Sequence, residues 1–176
     1  MTAKDNALLN DHLSTGENDP ITDTNLRKDL GDFCSIACLK AIINGLEDIL
    51  GEPLVRSNLI LAGRIRGRNL VNDLGLSNTD KPISEWSMLI SKALGKEGTR
   101  LCTLAKAEQD GDIIRVYLSD TVCSAGEEPG SLKKLTFTQG VIQGVVEEVS
   151  GRKLKGTQSG SVLRGQDYDI IEFGER

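Results

Sequence analysis

The sequence predicts an α+β domain in which three helices, a β-hairpin, a fourth helix and a second hairpin follow one another. In the first half of the chain, apolar residues recur every three or four positions, which is the period of an amphipathic helix. After Gly98 the period changes to two, which is the period of a half-buried strand. A last helical segment at residues 135–149 precedes two more short strands, so the strands are expected to pair as antiparallel hairpins.

The chain has 176 residues, of which 38% are hydrophobic, and residues 31–176 are expected to form a single domain. Residues 1–30 carry six acids and three bases with little periodicity, which predicts a mobile polar tail, although apolar positions at residues 6–13 leave open a short docked helix. The net charge of −5 argues against a general nucleic-acid or anionic-lipid surface. Without an apolar stretch of the roughly 20 residues that span a bilayer, and without a signal-peptide core, the chain is expected to be cytoplasmic.

The first helix is predicted between Gly31 and Gly51 from apolar residues at helical spacing. They are Phe33, Ile36, Leu39, Ile43, Leu46 and Leu50. A second apolar set widens this stripe, which indicates either a central helix or one that also meets a partner chain.

A second helix begins at Glu52 and Pro53, because proline suits a first helical turn, and stops near Gly75. Its polar face carries Arg56, Arg64, Arg66 and Arg68, while Gly63 and Gly67 lie one turn apart on an adjacent face. The arginines are either a solvated face paired with local acids or a site that captures a phosphate or carboxylate head group.

A third helix is predicted at Ile83–Leu94, after a turn at residues 79–82 and before Gly95. Trp86 is either a core residue or a ligand contact. The first hairpin follows at residues 101–119, turning at Asp110 and Gly111. The fourth helix places Gly140 and Gly144 one turn apart, so that a smooth backbone face can press against another element. The last strands are expected at about residues 153–161 and 168–173.

The residue types offer little reactive chemistry. Cys34, Cys38, Cys102 and Cys123 are expected to be buried thiols rather than disulfides. The i,i+4 pair Cys34 and Cys38 could hold a metal or act in redox chemistry, but the only histidine is His12. Glu147 and Glu148 point in different directions on a helix and are expected at the surface. Catalytic residues, a cofactor and a metal are therefore not predicted.

The pattern resembles the small subunits of the TRAPP vesicle-tethering complex and their prokaryotic relatives, the 4-vinyl-reductase or hydrocarbon-binding domain family. The sharpest match runs over residues 135–149 with Gly140 and Gly144, then over Leu163, Arg164 and Gly165, and ends in the strand at residues 169–173. A second match is Gly63, Arg64, Gly67, Arg68 and Leu70, followed by a helix that begins near Ile83.

The resemblance implies helices packed on a four-stranded antiparallel sheet, dimerisation through the first helices, and an elongated apolar pocket between helices and sheet. The dimer interface is then expected at Phe33, Ile36, Leu39, Ile43 and Leu46. The pocket is expected to be lined by Ile60, Trp86, Leu89, Val141 and Val145, with Arg64 or Arg68 for a polar end.

Two family features are not expected here. In the tethering subunits a cysteine after the second helix can carry an acyl chain, but residues 74–78 of this chain contain no cysteine. Relatives that sense aromatic compounds bind zinc near the second strand, where this chain keeps only Asp120 and Cys123, so zinc is not predicted.

These observations favour non-catalytic binding of a hydrophobic small molecule, such as an acyl chain, a hydrocarbon or a pigment intermediate, by a homodimer. The alternative is a protein-interaction module without a ligand, like a tethering subunit. A reductase or its accessory is a third hypothesis, supported only by the family name, because the chain has no redox-cofactor motif.

Overall fold

The structure is a computed structural model that describes Arg27, Asp29 and residues 31–175. Apart from Arg27 and Asp29, the tail predicted at residues 1–30 lies outside the described residues, as does His12. The described part contains four α-helices and a four-stranded antiparallel sheet in the predicted order, which confirms the α+β fold. The elements are α1 (Ile36–Leu50), α2 (Glu52–Asp73), α3 (Ile83–Leu94), β1 (Thr103–Asp110), β2 (Ile113–Ser119), α4 (Phe137–Ser150), β3 (Leu154–Gly160) and β4 (Asp169–Glu175).

Local signals explain where the first two helices begin and end. The Ser35 hydroxyl accepts a hydrogen bond from the Ala37 amide at 3.2 Å and caps α1. Gly51 ends α1 with a φ of 83°, a positive backbone angle that glycine adopts without strain. The chain then enters α2 directly through Glu52 and Pro53.

The sheet has the strand order β1-β2-β4-β3, so the central β2–β4 pair joins the two hairpins. Asp110 pairs with Ile113, which places the first turn at Gly111 and Asp112, one residue later than predicted. Gly111 supplies the positive φ of 57° that this turn requires. Strands β1 and β3 are the two edges of the sheet.

One face of the sheet packs under the helices, and strand alternation puts its apolar residues there. The largest fully buried side chains include Leu70, Ile90, Leu118, Ile142, Leu154, Ile171 and Phe173. The other face is polar: the Tyr117 hydroxyl donates to Glu108 at 2.5 Å and Arg115 donates to Glu172 at 2.8 Å. The hydrogen bond from Tyr117, followed by the one from Lys106, lowers the pKa of Glu108. This arrangement leaves the region between helices and sheet as the interior of the fold.

Glycines allow α2 and α4 to touch through their backbones. Gly63 and Gly67 of α2 face Gly140 and Gly144 of α4. A Cβ atom added to Gly67 would overlap the Val141 carbonyl oxygen, and one added to Gly140 would overlap that of Ile60. Two glycine pairs therefore set the distance between these helices.

Within the described ranges, none of the helices is both long enough and apolar enough to cross a bilayer.

Candidate functional site

The apolar residues predicted to line a pocket lie in the layer between the helices and the sheet. Trp86, Val141 and Val145 belong to one buried cluster, and Leu89 packs partly buried against it. Ile60 is half-buried on α2. The cluster also contains Leu104, Val116, Ile171 and Phe173 from the sheet. Helices and sheet thus enclose four of these five side chains in one packed layer, and their role as a pocket lining stays a prediction.

The helices cover this layer in two different ways. Helix α4 packs mainly on α2 through the glycine contact, whereas α3 packs mainly on β1. Between α3 and α4 the sheet is covered by side chains such as Trp86 and Val145 rather than by abutting backbones. Side chains can change rotamer, but a backbone contact cannot open without moving a helix, so the α3–α4 seam is a more easily opened boundary of the interior than the α2–α4 contact.

Arg64 points into the protein and binds a carboxylate there. Its Nη2 donates to Glu147 Oε1 at 2.8 Å, and its Nε donates to the other carboxylate oxygen. Glu147 Oε1 also accepts from the Leu154 amide at 3.0 Å and from Gln143 Nε2 at 3.3 Å. This pair joins α2, α4 and β3, and it occupies the guanidinium group that was expected to hold a ligand head group.

The surface position predicted for Glu147 is wrong. Its side chain is 6% exposed, against 19% for Arg64. The glycine contact brings α2 close enough for Arg64 to neutralise a carboxylate on α4, and the polar partners stabilise the charge away from water. Glu148, the next residue, is half-exposed as the helical geometry requires.

Arg68 is the exposed member of the arginine set and makes no ion pair with a described residue. Arg66 is half-buried, and Arg56 buries its Nε atom without a hydrogen-bond partner in the described part of the chain. Of the two arginines predicted to receive a polar ligand end, only Arg68 is therefore available without breaking an internal pair.

A buried polar cluster near the start of β4 was not found from the sequence. Asp169 is fully buried and accepts hydrogen bonds from Ser124 Oγ at 2.7 Å, Thr121 Oγ1 at 3.0 Å and the Val162 amide at 3.2 Å. These bonds join the loop after β2 to β4. The period-two pattern that buries Ile171 also places Asp169 on the inner face, so this signal was present in the sequence.

The cysteines divide into two environments. Cys34 and Cys38 are exposed, so the expectation of buried thiols is wrong for both, because few of the described residues cover α1 and the segment before it. Burial raises the pKa of Cys102 to about 12, with smaller contributions from Cys123 and Asp120. The Cys102 thiol thus stays protonated at neutral pH and is not an activated nucleophile.

The neighbourhood of Cys123 is polar but offers few metal ligands. Its sulfur lies 3.3 Å from Thr138 Oγ1 and accepts from the Thr136 amide at 3.5 Å. Across the described residues, three or more histidine, cysteine, aspartate or glutamate side chains do not converge on a position that could hold a metal ion.

Sequence comparison finds neither a matching protein-family model nor a matching curated protein. Structural comparison does find similar folds. The phenol-responsive sensory domain of the transcription activator PoxR, in a crystal structure with phenol, matches with a TM-score of 0.62 at 13% identity, covering 81% of this chain and 75% of that one. A trafficking protein particle complex subunit 3 from Naegleria fowleri, covalently bound to palmitic acid, matches with a TM-score of 0.55 at 14% identity, covering 80% of this chain and 92% of that one. At such low identities the comparisons show only that the chain shares a fold with a phenol-responsive sensory domain and with a trafficking protein particle complex subunit.

Proposed function

We propose that this chain is a non-catalytic binding domain that takes an apolar small molecule between its helices and its sheet and works as a dimer through α1. The observation that carries the ligand part is the α3–α4 seam, where movable side chains rather than backbones close the apolar interior. The two solved structures described above each hold a largely apolar molecule, phenol in one and palmitic acid in the other.

The chemistry of the interior limits what such a ligand can be. Burying apolar ligand surface there contributes about 25 cal/mol for each square ångström removed from water. Arg68 is exposed, so an acidic end of the ligand would reach it only at the protein surface. The proposed ligand is therefore an aromatic or aliphatic molecule with at most one charged end.

Ligand binding can be followed through Trp86, which is the only tryptophan of the chain. Titrating the full chain with palmitate and, separately, with phenol is expected to change its fluorescence saturably for at least one of them. Leu89→Phe, which adds volume beside the core, is expected to weaken binding by about tenfold or more. Ile113→Phe, at an exposed position of the first hairpin, is the matched control and should bind like the parent.

Native mass spectrometry of the purified chain, followed by denaturing extraction, supplies an independent readout. A bound apolar molecule in the folded protein supports the proposal. A folded protein that carries no such molecule and gives no saturable response to either probe would reject it and favour an interaction module without a ligand.

Exposed apolar residues on α1 favour the dimer. This helix has no buried residue. Ile42 is 59% exposed and Ile49 is 79% exposed. The predicted interface residues Phe33, Ile36, Leu39 and Leu46 are exposed as well, and Ile43 is half-buried. Ion pairs from Lys40 to Glu127 and from Lys133 to Glu47 attach α1 to the loop before α4. These half-buried ion pairs hold the polar side of α1, whereas its apolar stripe stays exposed among the described residues, as is typical of a protein interface.

Leu46→Glu is expected to convert the dimer into a monomer, because it places a carboxylate in an apolar contact at a cost of several kcal/mol. Sedimentation velocity measures the mass, and circular dichroism checks that the helices remain. Ile113→Glu is the matched control, since Leu46 and Ile113 are both 38% exposed. If both variants stay dimeric, α1 is not the interface; a monomeric parent chain would remove the dimer from the proposal.

A further inference from the structure

The two edge strands of the sheet differ in how many of their outward-facing backbone groups are hydrogen-bonded by side chains. Along β3, side chains of α4 satisfy the outward-facing backbone groups: Gln143 Nε2 donates to the Leu154 carbonyl at 2.9 Å and Gln139 Nε2 to the Gly156 carbonyl at 3.0 Å. The Leu154 amide donates to Glu147. Amide and carboxylate side chains thus close this edge against another strand.

The edge of β1 is open. Ser91 Oγ donates to the Leu104 carbonyl at 3.0 Å, but along residues 105–107 no side chain of the described part hydrogen-bonds the strand backbone from outside. The residues that flank a two-residue turn form a hydrogen-bonded pair, as Asp110 and Ile113 do here. Farther along the hairpin, every second residue of β1 is bonded to β2, and the residues between them are not. The N–H and C=O groups of Ala107 and Gln109 therefore point away from β2, toward the open edge.

A groove of about 670 Å³ runs between this edge and α3. Small residues on both walls leave it open, since Ser84, Ser87 and Ser91 line the helix side while Thr103, Ala105 and Ala107 line the strand side. Met88 also lines the groove and is 64% exposed. A helix beside an open edge strand, with an apolar side chain between them, is a geometry that accepts an added strand.

The charged side chains that line the groove favour an acidic partner strand. The groove is lined by Lys92, Lys96 and Lys106 against one acid, Glu97, although the whole chain has a net charge of −5. Lys92 lies 3.6 Å from Glu97 in an exposed ion pair that stabilises little and can be exchanged. Lys106 on the edge strand is already paired with Glu108 at 3.0 Å, so Lys92 and Lys96 supply the charge that favours an acidic strand.

We infer that this groove binds a short, extended, acidic segment of a partner protein, which adds to the sheet as a strand beside β1. Backbone hydrogen bonds to Ala107 and its neighbours supply the pairing, Lys92 and Lys96 bind the acidic side chains, and Met88 contacts an apolar side chain of the segment. This site is separate from the α3–α4 seam and from α1, so it is independent of the proposed ligand and dimer.

The test is fluorescence anisotropy of the full chain with a labelled short peptide of alternating glutamate and valine, against a peptide of alternating lysine and valine. The acidic peptide is expected to bind and the basic one not. Ala107→Pro removes an outward N–H and should weaken binding by about tenfold or more, whereas Ala107→Thr keeps that N–H and should change it little. Proline on an edge strand is tolerated, and circular dichroism with thermal melting confirms that both variants fold.

A second pair of variants tests the charges. The double change Lys92→Glu and Lys96→Glu should weaken binding by about tenfold at low salt and less at high salt. Lys134→Glu, an exposed lysine outside the groove, should have little effect. Binding of both peptides alike, or equal binding to the Ala107→Pro and Ala107→Thr variants, would overturn the inference. A dimer that Ala107→Pro dissociates would assign the edge to a second copy and overturn it as well.

Discussion

Gly67→Ala is expected to destabilise the protein by roughly 3 kcal/mol or more, enough to unfold a marginally stable domain. The added Cβ would overlap the Val141 carbonyl and approach the Val145 amide at 2.9 Å. Both groups are helix backbone, so neither can rotate away as a side chain would. The only relief is to separate α2 from α4, which would also pull Arg64 away from Glu147.

Urea unfolding followed by circular dichroism measures this change, and Gly45→Ala is its control. Gly45 is inside α1 with no atom within 4 Å of an added Cβ. Alanine there should stabilise the helix by about 0.5–1 kcal/mol, because only the intrinsic helix preference changes. If Gly67→Ala and Gly45→Ala change the free energy of unfolding by the same amount, the close backbone contact at Gly67 does not exist in solution.

Glu147→Ala is expected to cost about 3 kcal/mol, the low end of the range for breaking a buried ion pair, because Arg64 keeps some access to water. The substitution removes the carboxylate that accepts from the Arg64 guanidinium, the Leu154 amide and Gln143 Nε2, although Gln143 Nε2 keeps its bond to the Leu154 carbonyl. Urea unfolding again gives the free energy. Glu148→Ala, at the half-buried next position of the same helix, removes no side-chain hydrogen bond to a described residue and should stay within about 0.5 kcal/mol of the parent.

A double-mutant cycle separates the ion pair from the rest of the network. Arg64→Met combined with Glu147→Met removes both charges, so the double variant is expected to be more stable than the sum of the single changes by about 1–2 kcal/mol. Additive effects would mean that Arg64 and Glu147 do not interact in the folded state.

The sequence predicted the order and the approximate bounds of the elements because these depend on local signals. The bounds Ile83–Leu94 of α3 agree with the prediction, since Pro82 and Gly95 mark both ends. The first hairpin follows from alternation and from Gly111, whose positive φ suits a tight turn. The turn itself lies one residue later than expected, because Asp110 pairs with Ile113.

Features that depend on two distant segments could not be predicted in the same way. The sequence shows a smooth glycine face on each of two helices, Gly63 and Gly67 on α2 and Gly140 and Gly144 on α4. Periodicity does not reveal that these two faces contact each other. The wrong surface prediction for Glu147 has the same origin, since a glutamate late in an amphipathic helix is normally solvated unless an arginine from another helix reaches it. The exposure of Cys34 and Cys38 depends on how few residues between 31 and 175 cover α1 and the segment before it.

The sequence by itself determined that the chain forms four helices and two hairpins with an apolar interior and few reactive groups, because hydrophobic period, caps and turn residues act over a few neighbouring positions. The tertiary structure decided which helix faces touch, that Arg64 is held internally by Glu147, and that β3 is closed while β1 is open. Those outcomes depend on distances between residues that are far apart in the chain. Such distances arise only when the whole domain packs.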